Sequence, residues 1–231
     1  MNENKNRYEL IDALRGLTII SMALYHFMYD LKIINLGDYS WVTNPFVSFW
    51  QRSILISFIF ISGISWNFSK RPLKNGILLT VLGLIITFIT TKFIPQERIV
   101  WGVLNFFGAA YLLMIIFDKL FKKIDMRFVF IISFIMIFYF PKLDFLKDYS
   151  FGFIFGATNN NFYSADYVPI LPWIFIFIMG YAFWNIFKEK EKFNKIMEIR
   201  IGFLSSIGKN SLIIYLLHQP ILYLIAKLIA R

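Results

Sequence analysis

Seven apolar runs set the terms on which this chain can fold: residues 14–34, 46–68, 77–94, 99–121, 128–140, 168–187 and 201–229. A helix that crosses the hydrocarbon core of a bilayer needs about 20 such residues. In lipid every backbone N–H and C=O must be paired inside the protein, so runs of this kind predict helices and exclude open sheets. The expectation is an all-α fold, a polytopic membrane helical bundle with about seven transmembrane helices. Composition agrees: 58% of residues are apolar and 16% charged, against roughly 45–50% and about 25% in soluble domains. With 231 residues, seven spans leave no room for a large soluble domain. The fifth run has only 13 residues and could cross tilted, re-enter, or be extended by its flanks. Pro95 closes the third run and Pro141 the fifth. No small-residue cleavage site follows the first run, which reads as a retained helix.

There are no cysteines and two histidines. That excludes disulfides, thiolate nucleophiles and iron–sulfur clusters, and leaves no His-rich metal centre, so no metal is expected. The formal charge is +10. In a membrane chain this reads as topology rather than nucleic-acid binding, because Lys and Arg collect in cytoplasmic segments. With the N-terminus cytoplasmic, fifteen Lys and Arg fall on the inner side, including Lys5, Arg7, Lys70 and Arg71. Six fall outside, including Lys142 and Arg231. The asymmetry predicts N-terminus cytoplasmic and C-terminus outside, hence an odd number of spans. The bias toward Lys, Ile, Asn and Phe points to an AT-rich bacterial genome, and so to a bacterial plasma membrane.

Ionisable side chains inside spans are costly and mark function by default. Here they are Arg15, His26, Asp30, Arg52, Lys209 and His218, with Asn105 a buried amide of the same kind. On the first helix Asp12 and Arg15 can pair. Arg15 and His26 lie on one face about 16 Å apart. Asp30 is one turn beyond His26, where a carboxylate can fix the tautomer of a general base. On the last helix Ser211, Tyr215 and His218 share a face, and Pro220 is expected to open a kink beside them. Counted along continuous helices, His26 is ~18 Å from the inner end of the first and His218 ~21 Å beyond Leu204. Arg52 and Asn105 are each ~9 Å in from an outer end, and Asp166 stands at the outer mouth of the sixth run. Polar groups from five spans thus reach a similar level, as in a cavity that opens outward.

Each of these has a plainer reading. A lone His on a helix is usually packing, and the stripe with Asp30 is what favours function for His26. His218 could be a structural hydrogen bond, Arg52 a snorkelling side chain, and Asn105 interhelical glue. Gly102, Gly108 and Ala109 read as close packing. Trp41, Trp50, Trp66, Trp101 and Trp173 read as interface anchors. The connection 141–167, rich in Asn, Asp and aromatics, is long enough to carry function. A small-solute or proton-coupled transporter is the rival reading of the same polar conduit, although no inverted repeat is visible. A structural membrane subunit would not account for the His–Asp pair. The last run lacks a mid-membrane Lys for a Schiff base, which disfavours a light-driven protein.

The stretch YELIDALRGLTIISMALYHFMYDL at 8–31 resembles the opening helix of the heparan-α-glucosaminide N-acetyltransferase family, particularly its short bacterial members. It carries the arginine, ten residues, histidine spacing of transmembrane acyltransferases. FIFISGIS at 58–65, WGVLNFFGAAYLL at 101–113, ADYVPILPW at 165–173 and GKNSLIIYLLHQPIL at 208–222 agree in order. The first and last stretches are the most specific. The resemblance implies one transmembrane acyltransferase-like domain over residues 1–231. It would move an acyl group, usually acetyl, from cytoplasmic acyl-CoA to an acceptor across the membrane. It matches His26, Arg15, His218 and Asp166 to functional positions of the family. The chain is shorter than the eukaryotic enzyme, so its acceptor need not be heparan, and Asn105 stands where some relatives carry a more basic residue.

In the mechanism that fits both lines, acetyl-CoA is the acyl donor and its phosphates meet Arg15, Lys70, Arg71 or Lys209. The thioester reaches His26, which Asp30 orients. An amine or hydroxyl acceptor, such as a sugar, enters beside Arg52 and Asp166. Asn105, His218 or Arg52 stabilises the oxyanion. His26 acts as general base or carries the acyl group itself. Membrane lipid is the surrounding partner, and a homodimer is left open by the small-residue faces.

Overall fold

The computed structural model describes residues 8–34, 41, 44–140 and 143–230. Lys5, Arg7, Lys142 and Arg231 of the charge tally, and Pro141 at the end of the fifth run, lie outside the described residues. Among the described residues there are nine α-helices and no strand. They are α1 Glu9–Ile33, α2 Pro45–Trp66, α3 Pro72–Phe93, α4 Val103–Phe121 and α5 Met126–Tyr139, then α6 Ile174–Phe187, α7 Glu191–Met197, α8 Gly202–Lys209 and α9 Ser211–Ile229. Five of them (α1, α2, α3, α4 and α9) are long and apolar enough to cross a membrane. This is a membrane protein. The α5 and α6 helices are apolar but have 14 residues each, about 21 Å of rise against a ~30 Å hydrocarbon core.

Local chemistry accounts for several helix ends. Glu9 and Asp12 in the first turn of α1, and Lys32 in its last, complement the helix dipole. Pro72 opens α3, where its missing N–H costs nothing. Asp125 caps α5 by accepting from the Arg127 N–H at 2.8 Å. The hydroxyls of Thr80, Thr87 and Thr90 on α3 donate back to the carbonyls of Gly76, Gly83 and Ile86, which removes polar groups that lipid could not satisfy.

Two of the sequence expectations need correction. The last run is two helices, broken at Asn210, while Pro220 lies inside α9, which runs on to Ile229. The Asn210 side chain instead donates to the Ser206 carbonyl at the end of α8, a local bond that competes with helix continuation. The path of ~21 Å from Leu204 to His218 assumed one continuous helix. Along α9 alone, His218 is about 10 Å from Ser211. The sixth run is helical only from Ile174. Pro169 and Pro172 supply no N–H to a helix, and 168–173 is an irregular approach whose first half is buried, with Val168 1% and Ile170 8% exposed, and whose second half, 171–173, is partly exposed.

The chain divides into two compact units, Met1–Ile61 with Phe187–Arg231, and Ser62–Ile186. In the first unit α1 packs against α8 and α9. The contact with α8 is main chain on main chain. A Cβ at Gly16 would lie 2.1 Å from the Leu204 carbonyl oxygen, and one at Gly208 would lie 1.8 Å from that of Asp12. In the second unit Gly76, Gly83 and Gly108 seat α3 against α4, and Gly63 of α2 meets the Phe177 carbonyl of α6. Trp66 is 9% exposed and edge-on to Tyr181, so it packs in this unit rather than anchoring at an interface. The irregular segment is held by Tyr167, whose hydroxyl donates to the Phe153 carbonyl. Burial pushes this phenol up to about 12, which keeps it a neutral donor.

Because backbone cannot move aside as a side chain does, Gly208→Ala must separate α1 from α8. The expected loss is about 1–3 kcal/mol of stability, read as a lower midpoint of thermal unfolding in detergent. Gly202→Ala, with nothing within 4 Å of the added carbon, is the neutral comparison.

Candidate functional site

The first unit gathers the polar residues of α1, α8 and α9 into two clusters. The one nearer the start of α1 is ionic. The Arg15 Nη1 donates to Asp12 Oδ1 at 2.9 Å and to the Gly208 carbonyl at 3.3 Å. The Lys209 Nζ donates to Glu9 Oε1 at 2.8 Å. Ser205 Oγ donates to the Glu9 carbonyl at 3.1 Å. Two cations and two carboxylates therefore sit where α1 crosses the end of α8. The cations lie at the negative end of the α8 dipole, which favours them further.

The second cluster is built on two imidazoles. The rings of His26 and His218 stand 4.9 Å apart, inclined at 62°. Tyr25 is edge-on to His26 at 5.7 Å and to Trp50 at 5.7 Å. The Trp50 indole N–H donates to Ser21 Oγ at 2.8 Å, which fixes α2 against α1 within this unit. On the other side Tyr215 lies 5.6 Å from His218. The Tyr215 carbonyl can only accept, so the His218 Nδ1 at 2.6 Å donates to it. A neutral ring then carries its lone pair on Nε2.

Asp30 is fully buried. Its Oδ1 accepts from Gln219 Nε2 at 2.9 Å. Among the described residues no hydrogen bond joins it to His26. The expected one-turn pair is replaced by a bond across the α1–α9 seam, because the carboxylate finds an amide donor on the facing helix. Gln219 was missed in sequence because it is uncharged. Its place inside an apolar run, next to His218, was the available signal.

The remaining candidates divide as follows. Arg52 belongs to the first unit and is exposed on α2. Lys70 and Arg71 belong to the second unit and are exposed just before α3, where Arg71 takes the N-cap position. Asn105, 2% exposed, lies against Gly83 at the α3–α4 contact. Asp166 reaches the start of the same α4 helix, where its Oδ2 accepts from the Val103 N–H at 3.4 Å. Gly102 at the N-cap has no side chain to do this, and Asp166 supplies the carboxylate from elsewhere in the chain. Among the described residues no group of three His, Cys, Asp or Glu could hold a metal ion.

A capping role for Asp166 has its own consequence. Asp166→Ala is expected to cost about 0.5–1 kcal/mol, at the low end because the bond is long. Asp166→Asn keeps an accepting oxygen and should retain stability, as measured by thermal unfolding. Equal losses in both would point to the charge rather than the cap.

The family model described as heparan-alpha-glucosaminide N-acetyltransferase, catalytic, matches residues 7–220. No curated protein and no solved structure matches the chain.

Proposed function

Since the chain belongs to the heparan-α-glucosaminide N-acetyltransferase catalytic family, which makes it a transmembrane acetyltransferase, we propose how its residues carry the reaction. Cytoplasmic acetyl-CoA is the donor. The acceptor is an amine or hydroxyl, as on a sugar, on the outer side of a bacterial plasma membrane. The observation that carries this reading is the His26–His218 ring pair, eleven residues along α1 from Arg15 and so about 16 Å from the ionic cluster.

The ionic cluster is the candidate phosphate end. A phosphate brings more negative charge than either carboxylate, and competes with Asp12 and Glu9 for Arg15 and Lys209. Lys70 and Arg71, in the second unit, remain candidates for a CoA phosphate on their charge alone. The acetyl thioester would then reach the imidazoles. In a one-step reaction the acceptor lone pair attacks the thioester carbonyl while His26, or His218 through Nε2, takes the acceptor proton. The C–S bond breaks and the thiolate leaves as CoA. In the two-step alternative His26 first forms the acyl bond and passes it on. Asp30 acts at one remove, through Gln219 and the α1–α9 seam. Arg52 and Asp166 remain candidates for the acceptor, and Asn105 for the oxyanion.

Seven spans, with the N-terminus cytoplasmic, are part of the proposal. The charge asymmetry supports the orientation. The buried residues 168–170 support counting α6, because irregular backbone at membrane depth is tolerated where protein covers it. A homodimer is compatible with this arrangement.

Purified protein should bind acetyl-CoA, and Arg15→Ala should weaken that binding by about tenfold or more, as expected for a lost charge-assisted bond. His26→Ala should keep the binding and lose roughly a hundredfold or more of acceptor-dependent CoA release. A folded parent that binds no CoA compound would end this reading and favour a transporter.

A further inference from the structure

The ring of His26 has no hydrogen bond among the described residues. Two ring contacts hold it instead: Tyr25 at 5.7 Å and 83°, and His218 at 4.9 Å and 62°. The outer torsion of a histidine side chain is broad and roughly two-fold. A half-turn about it puts ring carbons where the nitrogens were. His218 has its Nδ1 bond to the Tyr215 carbonyl to prevent this. The orientation of His26 has to be set by the rings around it.

Tyr25 is placed to set it. Successive side chains on a helix point about 100° apart, so adjacency in sequence does not by itself bring these two rings together. They meet edge to face, an arrangement that ring quadrupoles favour and that rotation of either ring weakens. Tyr25 has a two-fold torsion of its own. Trp50 of α2 restrains it, again edge-on, at 5.7 Å and 83°. Trp50 is fixed in turn by its indole N–H, which donates to Ser21 Oγ at 2.8 Å. Ser21 and Tyr25 are one turn apart on the same face of α1. The indole therefore grips α1 at two points, by a hydrogen bond at one and a ring contact at the other. The contacts run from Ser21 through Trp50 and Tyr25 to His26, all within the first unit.

We infer that Tyr25, clasped by Trp50, is a positioning residue: its ring holds the His26 imidazole so that one nitrogen lone pair stays aimed at the acceptor proton. This rests on the acetyltransferase reading above. The Tyr25 hydroxyl has no part in it.

The test pairs ring spectra with kinetics. Protein labelled with carbon-13 in its two histidines gives two sets of ring signals, told apart by His218→Gln. Both sets should be sharp in the parent. Tyr25→Leu removes the ring, and should broaden or split the His26 set while the His218 set stays as it was. The same variant should lower kcat for acetyl-CoA-dependent CoA release with glucosamine by roughly ten- to a hundredfold, the cost of a misplaced reacting group. Its KM for acetyl-CoA should not change. Tyr25→Phe keeps the ring and should recover both readouts. A His26 set that stays sharp in Tyr25→Leu, or two sets that broaden alike, overturns the inference. So does a Tyr25→Phe variant that loses as much as Tyr25→Leu, since the hydroxyl would then be what acts. Should Tyr25→Leu fail to fold, Trp50→Phe decides the matter. It keeps a ring but gives up the bond to Ser21, so it should broaden the His26 set alone, and a sharp set there overturns the inference. A parent that binds no acetyl-CoA overturns the acetyltransferase reading, and with it the catalytic meaning of the clasp. The spectra separate that failure from a failure of the clasp itself.

Discussion

The first unit depends on the approach of two backbones. At Gly16 and Gly208 the main chains of α1 and α8 come closer than any Cβ would permit. Lipid tails are as apolar as the side chains they touch, so helix association here draws on dispersion and polar contacts rather than on expulsion of water. Close approach maximises the first and aligns the second. It brings the Gly208 carbonyl within reach of Arg15 and the Lys209 ammonium within reach of Glu9. It also sets where the chain leaves α8 at Asn210, and hence how α9 lies along α1 with His218 against His26.

Much of this was legible in the stripe along α1. The i, i+3 and i+4 intervals place Asp12, Arg15, His26 and Asp30 on one face, and the Asp12–Arg15 pair forms as those intervals require. What the intervals could not give is the partner on a facing helix. Asp30 bonds to Gln219 across the seam, and His26 meets His218 rather than its own carboxylate neighbour. Periodicity within one helix has no information about which face of another helix it will meet. Glycines carried the missing signal. Gly16, Gly63, Gly76, Gly83 and Gly208 mark where helices touch, yet in an apolar run a single glycine looks like any other small residue. Gly108 was read as close packing, and it is.

Helix lengths show a second limit. Hydropathy reports that residues 168–173 belong in an apolar environment, and 168–170 are buried. It does not report whether they are helical. Pro169 and Pro172 decide that, and an irregular segment bonded through Ile170 N–H to the Ile154 carbonyl takes the place of the expected first turns. At Asn210 the competing interaction is a side-chain amide on a backbone carbonyl, too local to disturb a hydropathy profile. Asp166 shows the same limit differently. The family resemblance marks this carboxylate as a functional position, and in the fold it accepts from the Val103 N–H at the start of α4.

The two imidazoles differ in one respect that follows from α9 alone. The Nδ1 proton of His218 is tied to the carbonyl of Tyr215, three residues back on the same helix. That bond needs nothing from α1. His26 has ring contacts but no hydrogen bond among the described residues. A breathing motion that parts α1 from α9 would therefore leave the proton of His218 on the same nitrogen while changing the surroundings of His26. In nitrogen-15 spectra the His218 ring should hold one tautomer signature whether the seam is open or closed, and the His26 ring should report the motion.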